Sequence, residues 1–156
     1  MIFLKYGALK GSSIEDTHKA WIACNSIQFG VGRGIASAAG GTGIRQASHP
    51  SVSEITLSKD SDASSADLFM EALQGKGVDA EIDITTKIGE KTEIMMKLTL
   101  KECMISGYSV SSGGDNPSES ISINFKNITY QYNANEAGIL KQGDEKKWDL
   151  AVNKAV

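Results

Sequence analysis

The clearest signal in this chain is a strict alternation of apolar and polar residues. From position 78 to 84 the even residues are apolar and three odd residues are acidic. A turn at Gly89-Glu90 follows, after which apolar side chains recur at positions 94, 96, 98 and 100. A period of two puts one row of side chains in the core and the other in water. The two runs therefore predict a long antiparallel hairpin.

Several other stretches have the same strand-like character. They lie at residues 2–9, 21–31, 52–59, 104–111 and 120–132. In the last of them the apolar parity switches at Lys126-Asn127, which predicts a β-bulge. Period-two runs separated by regular turns are typical of a sandwich or a barrel. The predicted fold is mainly β: a split or closed antiparallel β-barrel of about seven or eight strands.

One segment departs from the alternation and predicts a short α-helix at residues 64–74. Ser64 with Asp67 resembles a capping box, and Gly75 stands where a C-terminal glycine cap would. Its apolar stripe consists of Leu68, Phe69, Ala72 and Leu73. We expect this helix to cap one end of the barrel. No internal repeat or boundary is found, so residues 1–156 are predicted to form a single domain.

Residues 30–50 are rich in glycine, alanine and serine, and they have no helical or alternating pattern. Such a stretch cannot pack a core of its own. A loop of this length inside a compact domain is either functional or disordered. We expect an extended loop that lies on a neighbouring subunit.

Bulk composition excludes several functional classes. The net charge is -3, which gives no general attraction to nucleic acid or an anionic membrane. Cys24 and Cys103 are too few for a disulfide scaffold and are predicted to be small buried hydrophobes. No long apolar run predicts a membrane span, and the N-terminus does not resemble a secretory signal. We expect synthesis and folding in the cytoplasm, with any export independent of a cleaved signal.

Apparent catalytic and binding motifs fail in detail. The glycines at 30, 32 and 34 do not complete a phosphate-binding loop, and residues 60–71 lack the glycine of a calcium loop. Residues 107–111 nearly spell a nucleophile elbow, but they lie in a predicted strand. His18 and His49 are interpreted as solvated loop histidines. We therefore predict no catalytic residue, no cofactor and no metal site.

An acidic row on the predicted hairpin is a further candidate site. Asp79, Glu81 and Asp83 share one strand face, but a catalytic carboxylate pair would need two different environments across a substrate. We interpret the row as a solvated outer face, or as one rim of a charged interface with Lys97 and Lys101 opposite.

Several stretches together form an ordered pattern along the chain: residues 2–13 with a KGES-like turn, Thr17-His18, the 30–50 loop, residues 58–68, residues 98–102, residues 109–114, residues 121–132 and Trp148-Asp149-Leu150. In their order and spacing, the chain resembles the haemolysin-coregulated protein family, Hcp, the tube subunit of type VI secretion. Two positions depart from the family pattern: Ala66 replaces a helix-start proline, and Lys147 stands where glycine often precedes the tryptophan.

The resemblance implies a split barrel with a capping helix, six copies to a homohexameric ring, and rings stacked into a tube. It also implies a contractile sheath, a VgrG spike and small effector proteins as partners, and secretion of the subunit through the type VI system. Ser26 and Gln28 are expected to face the lumen. The expected ring-stacking or subunit-interface contacts in the loop are Arg33, Gly34, Ala38, Gly40, Gly41 and Arg45.

Two alternatives stay open at this point. A phage tail-tube protein of the same barrel type fits the same pattern. A small-ligand-binding β-barrel module, or an enzyme, would need an apolar cavity with a few convergent polar groups.

Overall fold

The computed structural model describes residues 1–36 and 46–156. Its one α-helix within those residues, α1, spans Ser65–Gln74, and a single 3-10 turn spans Asp16–His18. The strands are β1 (Ile2–Tyr6), β2 (Ile22–Cys24), β3 (Ser26–Gln28), β4 (Val31–Gly32), β5 (Ile35–Ala36), β6 (Gln46–Ala47), β7 (Ser51–Val52), β8 (Ile55–Asp60), β9 (Val78–Ile88), β10 (Lys91–Ser111), β11 (Ser118–Asn124), β12 (Asn127–Tyr132), β13 (Ala134–Glu136), β14 (Ile139–Lys141), β15 (Lys146–Asp149) and β16 (Lys154–Ala155). The mainly β, antiparallel fold with one helix is confirmed.

The predicted hairpin is present as β9 and β10. The two strands are antiparallel, and the register pairs Leu98 with Ile82 and Thr99 with Glu81. β10 is longer than predicted, because residues 91–111 form one strand where the pattern indicated two. The alternation of apolar side chains breaks near Glu102. Glu102 has a φ of 51°, and the register shifts between Leu100 and Cys103, so the strand turns here without ending.

Two half-sheets share β10. The first has the order β2-β1-β9-β10-β12-β15-β16, and the second has the order β10-β11-β8-β3. β12 pairs with the first part of β10, from Met96 to Lys101, and β11 pairs with the part that follows, from Met104 to Ser111.

The bulge expected at Lys126-Asn127 is therefore wrong. The parity switch marks a break between β11 and β12, which pair with two different stretches of β10. The Lys126 backbone N–H donates to the Lys101 carbonyl at 3.0 Å, so this break lies against the turn in β10 at Glu102. A pattern of alternation cannot distinguish one extra residue in a strand from a passage between two half-sheets.

Both half-sheets direct their apolar rows into one core. Its buried side chains come from both half-sheets, from α1 and from the break between β11 and β12: Leu4, Tyr6, Ile22, Cys24, Ile55, Leu57, Leu68, Ala80, Ile82, Leu98, Leu100, Cys103, Ile105, Ile121, Ile123, Phe125 and Ile128. Cys24 and Cys103 are buried free thiols, as predicted, and burial is the main factor that raises the pKa of each to about 12. Closure of the half-sheets into a complete barrel stays a prediction.

The helix lies against the second half-sheet, but its ends differ from the expected caps. The Ser64 side chain makes no capping bond; its hydroxyl and its backbone N–H both donate to Asp62 Oδ1, at 2.5 and 2.9 Å. Gly75 has a φ of -59°, which is not left-handed, and a Cβ there would lie 2.4 Å from the Glu71 carbonyl. Of the predicted stripe only Leu68 is fully buried, while Phe69 and Leu73 are exposed.

A buried ion cluster fixes the start of this helix. The side chain of Lys59, on β8, is fully buried, and its Nζ donates to Glu119 Oε2 at 2.8 Å and to Asp62 Oδ1 at 3.0 Å. Burial opposes ionisation of both carboxyl groups, but hydrogen bonds from Lys59 and nearby serine hydroxyls outweigh it, so the pKa of each is lowered. The cluster joins β8, β11 and the turn that leads into α1.

Lys59→Met should lower the free energy of unfolding by about 3–5 kcal/mol, because it leaves buried carboxylates without their cation. Urea unfolding at neutral pH, followed by circular dichroism, measures this change. Lys101→Met is the matched control: Lys101 pairs with Asp79 on the surface, and such pairs contribute little. Equal midpoints for the Lys59→Met variant and the wild type would show that the cluster does not stabilise the fold.

The same variant has a predictable pH dependence. Carboxyl groups with a lowered pKa in the folded state contribute stability above their ordinary pKa, and lose it as the pH falls through the lowered value. The stability difference between wild type and Lys59→Met should therefore shrink on acidification through that window.

Candidate functional site

One side of the second half-sheet is lined by small polar side chains. Along the strands these polar residues alternate with apolar ones, such as Ile27, Leu57 and Ile121, whose side chains lie on the core side. The rows on the other side run Ser26-Ser58-Ser120-Ser109 and Gln28-Thr56-Ser122-Gly107 across β3, β8, β11 and β10. We call these eight residues the hydroxyl face. It contains no charged and no large apolar side chain.

Ser26 and Gln28 both lie on the hydroxyl face and are exposed. The Ser26 and Ser58 hydroxyls are 2.5 Å apart, which ties the short edge strand β3 to β8. Two carboxylates lie at the two ends of β8. Asp60 accepts a hydrogen bond from the Asn25 amide, and Glu54, just before the strand, accepts one from the Ser106 hydroxyl. The charged groups are therefore at the border of the face and not within it.

The outer side of the first half-sheet is, by contrast, charged. Lys97 and Lys5 contact Glu81 at 2.9 and 3.6 Å, and Lys101 contacts Asp79 at 2.5 Å. Hydrogen bonds from these lysines lower the pKa of both carboxyl groups. The predicted pairing of the acidic row with Lys97 and Lys101 is confirmed for these two acids.

Asp83 and His18 depart from the predicted pattern. His18 is 2% exposed, not solvated, and its Nε2 lies 2.9 Å from Asp83 Oδ2. Its ring stacks on Phe3 at 4.5 Å and meets the edge of Trp21 at 4.8 Å. The segment from 11 to 20 folds back over the first half-sheet and covers Asp83. The sequence gives no signal for this fold-back, because the contacts join residues 65 positions apart.

Backbone hydrogen bonds join the two arms of this segment, which we call the Ile14 loop (residues 11–20). Backbone bonds join Gly11 to Ala20 at 2.8 Å and Ser13 to Trp21 at 3.1 Å. A Cβ at Gly11 would lie 2.4 Å from the Trp21 carbonyl, so the two arms of the loop approach too closely for any other residue. At the tip, the Ile14 side chain is 92% exposed.

An apolar groove of about 640 Å³ lies where the 30–50 loop leaves the sheet. The loop side contributes Phe29, Val31, Pro50 and Val52, and the sheet side contributes Ile128, Tyr130 and Trp148. Arg33, Lys146 and Lys147 also line it. We call it the loop-root groove. The sequence pattern did not reveal it, because its walls come from short strands at opposite ends of the chain.

The predicted loop residues are only partly described. Arg33 lines the loop-root groove, and the Gly34 backbone N–H donates to the Ser48 hydroxyl at 2.9 Å, so the two sides of the loop are joined at its base. The remaining four, Ala38, Gly40, Gly41 and Arg45, lie outside the described residues.

The apparent motifs have structural positions that do not suit their chemistry. Ser109 lies within β10 and not at a strand–helix turn. Over residues 1–36 and 46–156, no three His, Cys, Asp or Glu side chains converge as a metal site would require. No helix of that same part of the chain is both long and apolar enough to cross a membrane.

A family model, described as type VI secretion system effector, Hcp, matches residues 3–132. The chain belongs to the Hcp family. The predicted resemblance is thus confirmed over most of the sequence. A search of curated protein sequences finds no match.

Solved structures of Hcp proteins share the fold. A type six secretion system protein superposes with a TM-score of 0.90 at 26% identity, covering 99% of this chain and 98% of that chain. Hcp1 from Salmonella typhimurium gives 0.79 at 21% identity, with 99% and 97% covered. A type VI secretion system effector from Yersinia pestis gives 0.74 at 17% identity, with 96% and 100% covered.

His18→Ala should lower the free energy of unfolding by about 2–4 kcal/mol, because it removes the stacking on Phe3 and leaves Asp83 buried without its partner. Thermal or urea unfolding measures the change. His49→Ala is the matched control, since His49 is exposed in a loop and should be neutral. Equal effects of the two substitutions would contradict the structural role given to His18.

Proposed function

We propose that this chain is the structural subunit of a type VI secretion inner tube. Six copies form a ring, rings stack into a tube, and the lumen carries small effector proteins. Membership of the Hcp family supports a tube-type protein of this system. The observation that carries the proposal further is the hydroxyl face, a broad strand surface with neither charge nor large apolar side chains.

A surface of this composition suits the wall of a conduit. Large apolar patches bind proteins tightly, and a surface of one charge sign holds partners of the opposite sign. Neutral hydroxyl and amide groups keep a layer of water and make weak, exchangeable hydrogen bonds. Cargo of varied sequence can pass such a wall without being retained. Ser26 and Gln28 are therefore assigned to the lumen in this proposal.

The charged outer side of the first half-sheet is a second, different surface, and in this proposal it faces outward, away from the lumen. A ring closes only when one surface of a subunit meets a different surface of the next, and a tube needs a further contact between rings. We assign the contact between rings to the 30–50 loop, with Arg33 and Gly34 at its base. In this proposal the sheath surrounds the tube, the VgrG spike tips it, and nucleic acid and membrane insertion have no part.

The proposal includes a route out of the cell. The subunit is made and folded in the cytoplasm, assembles there, and leaves through the type VI system without a cleaved signal. Its role in the tube is structural, with no catalytic residue, metal or cofactor.

Multi-angle light scattering of the purified chain should give a particle of six times the 16.6 kDa chain mass, and negative-stain images should show rings. Dilution should dissociate the rings, since each contact is non-covalent. A strict monomer at high protein concentration, without rings in the images, would overturn the proposal.

Cysteine labelling tests which surface faces the lumen. Ser26→Cys should react with a small maleimide in rings and tubes alike, but a bulky polymer-linked maleimide should react far more slowly in tubes because it cannot enter. Cys24 and Cys103 give little background, since both are buried and burial raises their pKa values.

Lys101→Cys, on the charged outer side, is the matched control for this labelling and should react with both reagents at similar rates. Equal protection at both positions, or protection only at position 101, would exclude the hydroxyl face as the lumen wall.

A further inference from the structure

The loop-root groove is an apolar surface that the described part of the chain leaves open. Val31, one of its walls, is 66% exposed. Its aromatic lining consists of Phe29, Tyr130 and Trp148. An apolar concavity with this lining resembles the pocket in which a protein partner places an anchoring side chain. Its volume of about 640 Å³ has room for several side chains and not only one.

The rim of this groove is cationic. Arg33 makes no ion pair with any described residue, and it lines the same groove as Lys146 and Lys147. The two lysines contact Asp144 and Glu145 at 3.6 and 3.2 Å, but these pairs are exposed and therefore weak. The groove consequently favours an apolar side chain that arrives together with carboxylates.

The Ile14 loop offers that combination. Ile14 is the most exposed large apolar side chain among the described residues, at 92%. Glu15 and Asp16 follow it directly, and neither forms an ion pair with a described residue. Ile139, another exposed isoleucine, lacks this charge match, because it lies on a hairpin whose Glu136 is already paired with Lys141.

The loop is also rigid enough to act as an anchor. The His18–Asp83 contact and the stacking on Phe3 fix its base, and the Ser13 hydroxyl accepts from the Glu15 backbone N–H at 3.3 Å near its tip. A segment held in its bound conformation loses little entropy on association. The buried His18 therefore positions the exposed Ile14 loop as well as stabilising the fold.

We propose that the Ile14 loop of one copy of this chain seats in the loop-root groove of the next copy. Ile14 enters the apolar lining, and Glu15 and Asp16 meet the cationic rim of Arg33, Lys146 and Lys147. The contact is heterologous, so each chain offers one loop and one groove, and we place it between neighbouring subunits of one ring. This inference rests on the proposed function, because it names surfaces through which tube subunits meet.

Ile14→Asp and Val31→Asp test the two sides of the contact separately. Each should raise the concentration at which half of the assembly dissociates by about 30-fold or more, the effect of losing a central apolar anchor. Ile139→Asp is the matched control: it replaces an isoleucine that is also exposed, at 68%, but lies outside the contact, and it should leave assembly unchanged. Circular dichroism and urea midpoints establish that all three variants are folded.

Mixing the two variants gives a sharper test. In the mixture, the intact loop of Val31→Asp can enter only the intact groove of Ile14→Asp, since the other combination brings two introduced carboxylates together. A one-to-one dimer should therefore form in the mixture by light scattering, while each variant alone forms none through this contact. Exchange of charges within one chain, Asp16→Arg with Arg33→Asp, should restore the assembly that either change alone weakens.

The outcomes separate this contact from the proposed function. If Ile14→Asp and Val31→Asp form rings as readily as the wild type, or if Ile139→Asp loses its rings to the same extent, the contact is wrong. Neither result would contradict the proposed tube subunit. A mixture that yields no dimer, or charge exchange that restores nothing, would also overturn the contact. A monomeric wild-type chain would overturn both.

Discussion

The whole structure depends on one strand that hydrogen-bonds in two half-sheets. β10 pairs with β9 and β12 along its first part and with β11 beyond Glu102, so it transmits the position of each half-sheet to the other. The left-handed Glu102 and the shift between Ile105 and Gly107 let it turn while its apolar row stays in the core. The break at residues 125–126 follows from this turn, because β11 and β12 must each meet a different stretch of the same strand.

Segments that are not strands are attached to this framework by buried polar contacts. Lys59 holds the turn before α1 through Asp62 and Glu119, and Asp83 holds the Ile14 loop through His18. Buried charges need partners of good geometry, so each contact admits few alternative arrangements. The two segments therefore keep fixed positions on the surface without contributing strands to the sheet.

Sequence reasoning succeeded where a single period decides the structure. The β9–β10 hairpin, the helix at 65–74 and the burial of Cys24 and Cys103 follow from local pattern alone. It failed where the structure depends on contacts between residues that are far apart in the sequence. The acidic neighbours Glu15 and Asp16 favour a solvated His18, whereas its partners Phe3 and Asp83 approach only after folding. The loop-root groove was missed for the same reason, as were the short strands β15 and β16 that form its far wall.

Charge is distributed differently over three surfaces: the hydroxyl face, the Ile14 loop with the loop-root groove, and the outer side of β9 and β10. A wall that must let varied cargo pass gains from being neutral and hydrated, whereas a contact that must form in one register gains from opposite charges around an apolar centre. The hydroxyl face has the first composition, and the Ile14 loop with the loop-root groove has the second. The mixed charges on β9 and β10 are largely satisfied within the chain by Lys97 and Lys101. Because those pairs neutralise each other, that surface exerts little attraction on further copies, and uncontrolled association through it is disfavoured.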